Sequence, residues 1–480
     1  MHATAIGFLI VPLSLAVFFL APARLGQWAT IVSALDAASV VNIGGGFPVG
    51  ITPFFFVAAL IAVRIGPRVL CGRVRFASNE PARDHVRVLT LFVLWAATSA
   101  FLLPIMFKGL PVDLERAGVD QTYLYRVPLH WTFSNAGQAG YLLLDLCLVL
   151  LFLGNATRPG YIAGLIRAFT WSGLIVVAVG AYQLLSFRFG LPFPDSFFYS
   201  NTAWAQLAGE GIAGRAKINS TFPEASAAGN FLAMWTVFEL VLAARTGREG
   251  ARHWWFALAG TFMVINTTST TGYVALAIAW TFFTWKYLIR FLWQGRVAVR
   301  ALVGAALCLA ATAAALLIGG HGGSLLDAVV FNKMQSGSAV HRLASIYRSG
   351  GIFADSFGLG VGLGSDRPLS SGAYILADLG AVGVMLFSYL LWQLYAMGAW
   401  SARRAHCDRQ GRVWLEVAGW ALSVQLVAML VSGAEITGPT LWIPWALLAA
   451  VVRRNWLASA RPVSAAVAYA PLPTRVSATS

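Results

Sequence analysis

The chain has 480 residues, 58% hydrophobic and 11% charged, with a formal net charge of +15 and a mean hydropathy of +0.70. Soluble domains carry about 25% charged residues, so an ordinary water-exposed globular protein of this length is excluded. In a soluble protein the basic excess would point to nucleic acid; in a polytopic membrane protein it points first to cytoplasmic loops.

Long apolar runs separated by short polar ones predict an all-α polytopic membrane protein of twelve spans. They lie near residues 5–22, 50–63, 88–107, 140–156, 168–187, 226–244, 254–268, 272–289, 300–318, 374–395, 413–432 and 439–452. The first run has no small-residue cleavage site leading into a soluble domain and reads as a span. The stretch 26–42 is nearly as apolar, but Asp36 in its middle and the glycine-rich segment after it predict a re-entrant or interfacial piece. Residues 1–456 read as one transmembrane domain, and 457–480, rich in Ala, Pro, Ser and Val, as a disordered cytoplasmic tail. With a cytoplasmic N-terminus, 23 of the 34 basic residues but only five of the 19 acidic ones fall on the cytoplasmic side. The excess then orients the protein, and no nucleic-acid partner is expected. None of the four cysteines falls in an external loop and no CxxC or His/Cys cluster occurs, so neither a structural disulfide nor a metal site is expected.

Three external segments, 108–139, 188–225 and 319–373, are longer than simple turns need to be. The second ends in GRAKINSTFPEASAAGNFLA and runs directly into a span. Arg215 and Lys217 precede that span, and Glu224, Ser226 and Asn230 mark its first turns; two cations beside a helix start suit an anion. Flanking cations that merely snorkel are the bland alternative. The third segment carries Arg342 and Arg348 with Tyr347 between them and His341 adjacent, in a pattern that predicts an amphipathic helix over the external mouth. Two arginines suit a pyrophosphate, although solvated surface arginines would give the same spacing. The run Gly358-Leu-Gly-Val-Gly-Leu-Gly364 lacks a βαβ context and predicts a turn packed on helices rather than a dinucleotide site. The turn TTSTTG, Asn266 to Gly272, joins two spans, with helix capping as its simplest role. Asp145, Glu239 and Asp378 lie within spans at energetic cost, so each is a functional candidate or an arginine partner.

Taken in order, STFPEASAAGNFLA, TTSTTG, HRLASIYRSGGIFADSFGLGVGLG and SSGAYILADLGAVGVMLF resemble the O-antigen polymerase/O-antigen ligase superfamily of bacterial envelope glycosyltransferases, over roughly residues 200–395. The resemblance implies a GT-C-like inner-membrane enzyme of about a dozen helices with long periplasmic loops. Such an enzyme uses undecaprenyl-diphosphate-linked glycans as donor, a second glycan as acceptor and neither nucleotide sugar nor metal, with other polysaccharide-assembly proteins as further partners. It implies donor-diphosphate binding by Arg215 and Arg342, with Lys217 and Arg348 assisting. Ligases carry a histidine motif just before the span that here begins at Tyr374, where this chain has Ser370-Ser371-Gly372-Ala373. Many relatives have Ser-Arg where this chain has Ser269-Thr270-Thr271, and PEASAA resembles a Glu-Pro-Ser pattern with Ala225 in place of proline.

The expected activity is therefore inverting polymerisation of lipid-linked repeat units, with transfer to lipid A-core by a ligase as the nearer alternative. Glu224 is the expected general base and His341 the alternative, while Ser226, Asn230 and Tyr347 are expected to contact substrate. A transporter or flippase is the rival of another class. It would show two similar halves, whereas no internal repeat is seen and the polar clusters crowd the external side.

Overall fold

The computed structural model describes residues 2–44, 49–72, 76–114, 125–203, 206–207, 211–212, 215–294, 337–404, 408–431, 433 and 436–460. Its helices are α1 Ala5–Leu20, α2 Leu25–Val32, α3 Pro53–Leu70, α4 Pro81–Met106, α5 Phe133–Asn155, α6 Tyr161–Phe189, α7 Asp195–Phe198, α8 Ala225–Arg245, α9 Ala251–Asn266, α10 Thr270–Gln294, α11 Gly337–Asp355, α12 Ser371–Arg403, α13 Arg409–Val431 and α14 Pro439–Ala460. Six of them, α4, α5, α6, α8, α12 and α13, are long and apolar enough to cross a membrane. The bent pair Ala5–Leu20 and Pro22–Val32 makes a seventh candidate if counted as one broken span. The architecture is that of an all-α polytopic membrane protein. Eleven of the twelve expected runs fall on helices, and 300–318 lies outside the described residues. Helix α14 continues to Ala460, past the expected domain end at 456, and residues 461–480 lie outside the description.

The charges sort the helix ends. At one end Arg453 pairs with Glu80 at 2.6 Å, Arg454 with Asp408 at 2.9 Å, and Arg245 with Glu416. This is the end at which the sequence places its basic loops. At the opposite end three small antiparallel sheets cap the bundle. They are β1–β2–β3 (His2–Ala3, Val41–Ile43, Val49–Ile51), the hairpin β4–β5 (Pro111–Leu114, Tyr125–Pro128) and β6–β7 (Gly211–Ile212, Arg215–Ala216).

The first sheet corrects one expectation. His2 pairs with Asn42, and Asn42 and Ser39 bond Ser200 in the 188–225 segment. The start of the chain therefore lies at the end opposite the basic loops, not among them. The reason is the 117° bend between α1 and the Pro22–Val32 stretch. It turns the chain beside Tyr161 and Phe152, which crowd Gly26, and sends 26–42 back toward the sheets. The stretch that carries Asp36 is thus a return limb folded into the bundle.

Helix α8 is the central post. Its apolar side chains run all the way round, as a helix buried on every face requires, and 89% of its span-length window is buried. Gly173 of α6 lies against the Trp235 ring, which an added side chain would strike, and Gly260 of α9 lies against Thr236 Oγ1 and the other edge of that ring. Small residues on the neighbours thus let two helices close on one large side chain.

Helix α12 is broken at Gly380, whose φ of 64° and ψ of −164° are open essentially only to glycine. The glycine-rich run 358–364 is laid into the break. Val361 N donates to Ala377 O at 2.9 Å, Gly362 N to Asp378 O at 2.8 Å and Ala381 N to Gly358 O at 2.8 Å, while the Trp95 indole donates to Leu379 O at 3.0 Å. A Cβ on Gly380 would stand 2.3 Å from the Leu359 carbonyl. Gly380→Ala is accordingly expected to cost about 2–4 kcal/mol, read as a fall in melting temperature of the purified protein.

Candidate functional site

The site is built around the start of α8, at the end of the bundle that carries the small sheets. Asn219, Ser220, Thr221 and Phe222 are all buried, and Ser220 adopts a left-handed φ of 54°. A buried turn of this kind must have its backbone satisfied, and α6 does it. Gln183 Oε1 accepts from the amides of Asn219 at 3.1 Å and Ser220 at 2.8 Å. The Tyr199 hydroxyl donates to Ser220 O at 2.9 Å, and Ser220 Oγ to Val176 O at 2.6 Å. This lattice fixes Glu224, the extended residue immediately before α8. Its half-buried carboxylate accepts from Ser226 Oγ.

The TTSTTG turn packs on the same first turns of α8 through a glycine pair. A Cβ on Gly272 would stand 2.9 Å from Gly229 Cα. Ser269 supports the start of α10, with Tyr273 N on its carbonyl at 3.0 Å and Thr271 Oγ1 on its hydroxyl at 2.9 Å, so the capping role holds. Two segments that the sequence separates by some forty residues thus share one surface.

The expected external amphipathic helix is α11. Arg342 donates to Val431 O, the last residue of α13, at 3.1 Å. Ser370 Oγ donates to the neighbouring Leu430 O at 2.9 Å. A cation at a helix C-terminus is favoured, and the last carbonyls of a helix need donors. Burial lowers the Arg342 guanidinium from its ordinary range, and the Glu224 charge within electrostatic reach opposes that shift. Arg342 Nε is buried and has no hydrogen-bond partner among the described residues. The expected acid–base residue and one expected phosphate ligand, 118 positions apart in sequence, thus lie within electrostatic reach of each other, each hydrogen-bonded to a different partner.

Arg348 has a different first role. It holds Asp113 Oδ2 at 2.7 Å, across 235 positions of sequence. Asp113 N donates to Asp366 Oδ1 at 2.8 Å, and Ser349 Oγ donates to Asp366 Oδ2 at 3.2 Å. Asp366 N, with the amides of Gly364 and Ser365, donates in turn to Asp378 at 2.9, 2.7 and 3.3 Å. This chain of carboxylates bolts α11 and the β4–β5 hairpin to the broken helix.

Burial pushes Asp366 up to about 7, aided by the Asp113 charge and opposed by the Asp113 amide, Ser349 and Arg348. The folded protein then holds a proton that the unfolded chain releases above about pH 4. The stability this contributes is fully present below about pH 4 and is lost as the pH rises through about 7, up to about 4 kcal/mol. Thermal melts should therefore fall between about pH 4 and 7, and Asp366→Asn, which cannot ionise, should flatten that slope.

The other expected site residues divide as follows. Asn230 lies on α8 and is 8% exposed, one turn below Ser226. Lys217 is half-buried on the approach to the turn. Arg215 stands on β7 in an antiparallel pair with Ile212; His341 lies on α11 beside Arg342; nothing is described of either side chain. Tyr347 is 86% exposed and lies on the opposite face of α11 from Ser345 and Ser349, so the structure does not bring it to Glu224.

The chain matches no family model and no curated protein.

Among the described residues, none of Asp145, Glu239 and Asp378 pairs with an arginine. Asp378 binds the three backbone amides just described. Glu239 accepts from Thr170 at 2.7 Å and faces His253 Nδ1 at 2.5 Å. Asp145 is fully buried on α5, and neither carboxylate oxygen has a hydrogen-bond partner among the described residues. Sequence reasoning missed Gln183, Tyr199, Asp113 and Asp366 as organisers of the site. A lone amide near the end of an apolar run was the available signal for Gln183; the others had none.

Proposed function

We propose that this protein is an inverting glycosyltransferase of the bacterial inner membrane. On this reading it polymerises undecaprenyl-diphosphate-linked oligosaccharide repeat units at the periplasmic face, within a GT-C-like fold of about twelve spans. The observation that supports this reading best is that Glu224 and Arg342, a carboxylate and a guanidinium whose buried N–H has no partner among the described residues, lie within electrostatic reach of each other at the end away from the basic loops.

In the proposed reaction an acceptor hydroxyl attacks the anomeric carbon of the donor, and its bond to the diphosphate breaks with inversion. Negative charge grows on the leaving undecaprenyl diphosphate, so a cation fixed there favours the transition state over the ground state. Arg342 holds the diphosphate with Arg215 and Lys217, while Ser226 and Asn230 line the acceptor side. Glu224 takes the proton from the attacking hydroxyl, and its bond from Ser226 orients the carboxylate. Arg348, engaged by Asp113, contributes by holding α11 in place.

Purified protein supplied in detergent with undecaprenyl-diphosphate-linked repeat units tests this. Longer glycans and released undecaprenyl diphosphate are expected. Glu224→Gln should lower product formation by about a hundredfold or more without moving the melting temperature appreciably. Full activity in Glu224→Gln with none in His341→Ala would transfer the base to His341. No product from any donor would favour a transporter.

A further inference from the structure

Helix α11 is built the wrong way round for a helix lying in water. A surface helix turns its apolar side chains inward and its polar ones outward. In α11 the buried positions include Ser345 at 0% and Ser349 at 1% exposure, with Leu369 N donating to Ser345 and Ser349 donating to Asp366. Arg342 and Arg348 also turn inward, to Val431 O and Asp113. The outward positions instead hold Val340, Leu343, Ile346 and Tyr347, at 55%, 58%, 42% and 86% exposure. Spacings of three and four residues put these four side chains on one stripe. Among the described exposed positions of α11, only Asp355 near its C-terminus is charged.

The depth of the helix follows from its tethers. Arg342 is bonded to the last residue of α13, beside Leu430, which is 58% exposed. Near the other end, Ile352 packs with Val112, Leu129 and Val361 in a small cluster that Phe107 flanks. Phe107 directly follows α4, whose outward Ile105 and Met106 are 67% and 56% exposed. Both anchors are therefore the ends of span-capable helices, and each of those ends carries exposed apolar side chains of its own.

We infer that α11 lies in the bilayer interface, its Val340–Leu343–Ile346–Tyr347 stripe immersed among acyl chains and its serine and arginine face turned to the protein. A helix of this kind binds the interface by the apolar area it buries there, and an aromatic residue such as Tyr347 suits headgroup depth. The inference does not depend on the proposed chemistry.

The test is site-directed spin labelling of the full chain, with its four cysteines replaced, in phosphatidylethanolamine–phosphatidylglycerol vesicles. Nitroxides go singly at Leu343, Tyr347 and the small, exposed Ala354, with Ile105 as lipid reference and His130 as aqueous reference. Collision with molecular oxygen relative to a water-soluble nickel chelate should be several-fold higher at 343 and 347 than at 130, matching 105. Nickel accessibility at 343 and 347 equal to that at 130 overturns the inference. So does low access to both reagents, which would mean that protein covers the stripe. The label at 354 gives the same reading where a small side chain is replaced, so misfolding at one bulky position cannot decide the result.

Discussion

Arg342→Ala is expected to reduce glycan formation from undecaprenyl-diphosphate-linked repeat units by about a hundredfold or more, while the protein stays folded. The guanidinium has two distinguishable jobs. One is structural: it donates to Val431 O at the end of α13, and losing one such bond costs about 1 kcal/mol. The other is the proposed stabilisation of the leaving diphosphate, for which the buried Nε, without a hydrogen-bond partner among the described residues, is available. A merely structural Arg342 predicts a small drop in melting temperature and unchanged turnover. The proposed role predicts the same small loss in stability together with a large loss in turnover, so turnover is the discriminating measurement. Arg342→Lys sharpens the distinction, because lysine keeps the charge but not the planar fork that binds two phosphate oxygens. It should recover part of the turnover at raised donor concentration.

The second large effect concerns stability. Asp378→Ala should destabilise the protein by at least about 3 kcal/mol, because three buried amides, those of Gly364, Ser365 and Asp366, lose their acceptor together. Asp378→Asn keeps one acceptor oxygen and should fall between alanine and the native protein. Chemical denaturation in detergent reads the order directly. Equal stability of all three proteins would mean that the amides find other acceptors and that the carboxylate is free for another role. The same experiment on Asp145, whose buried oxygens have no hydrogen-bond partner among the described residues, should give the opposite sign, since Asp145→Leu removes an uncompensated polar group.

Much of the architecture was legible because lipid imposes a crude rule, that long apolar segments must be helices. Eleven of the expected runs accordingly fall on helices. The α1–α2 return limb was harder. Its composition resembles a span, and contacts between distant parts of the chain, His2 with Asn42 and Asn42 with Ser200, show which way the limb runs. Around the candidate site, the residues with chemical character, Glu224, Ser226 and Arg342, were visible because charge is conspicuous among apolar neighbours. Their scaffolding was not. Asp113 and Arg348 form a pair whose register is set by how a hairpin folds over a helix, and no local pattern marks a partner 235 positions away. Tyr347 shows a related limit: neighbours in sequence on a helix point about 100° apart, so adjacency to Arg348 says little about shared direction.

The repaired break in α12 also bears on how the protein is made. A half-helix entering the bilayer with open carbonyls at Ala377 and Asp378 would be held back by the cost of dehydrating them. The strand of backbone that satisfies them lies only sixteen positions upstream, from Val361 to Ala377 and from Gly362 to Asp378. Closing so short a loop is entropically cheap, and that stretch has already left the ribosome when α12 follows. The translocon can therefore receive α12 as a unit already completed by its own preceding loop, before α13 and α14 emerge.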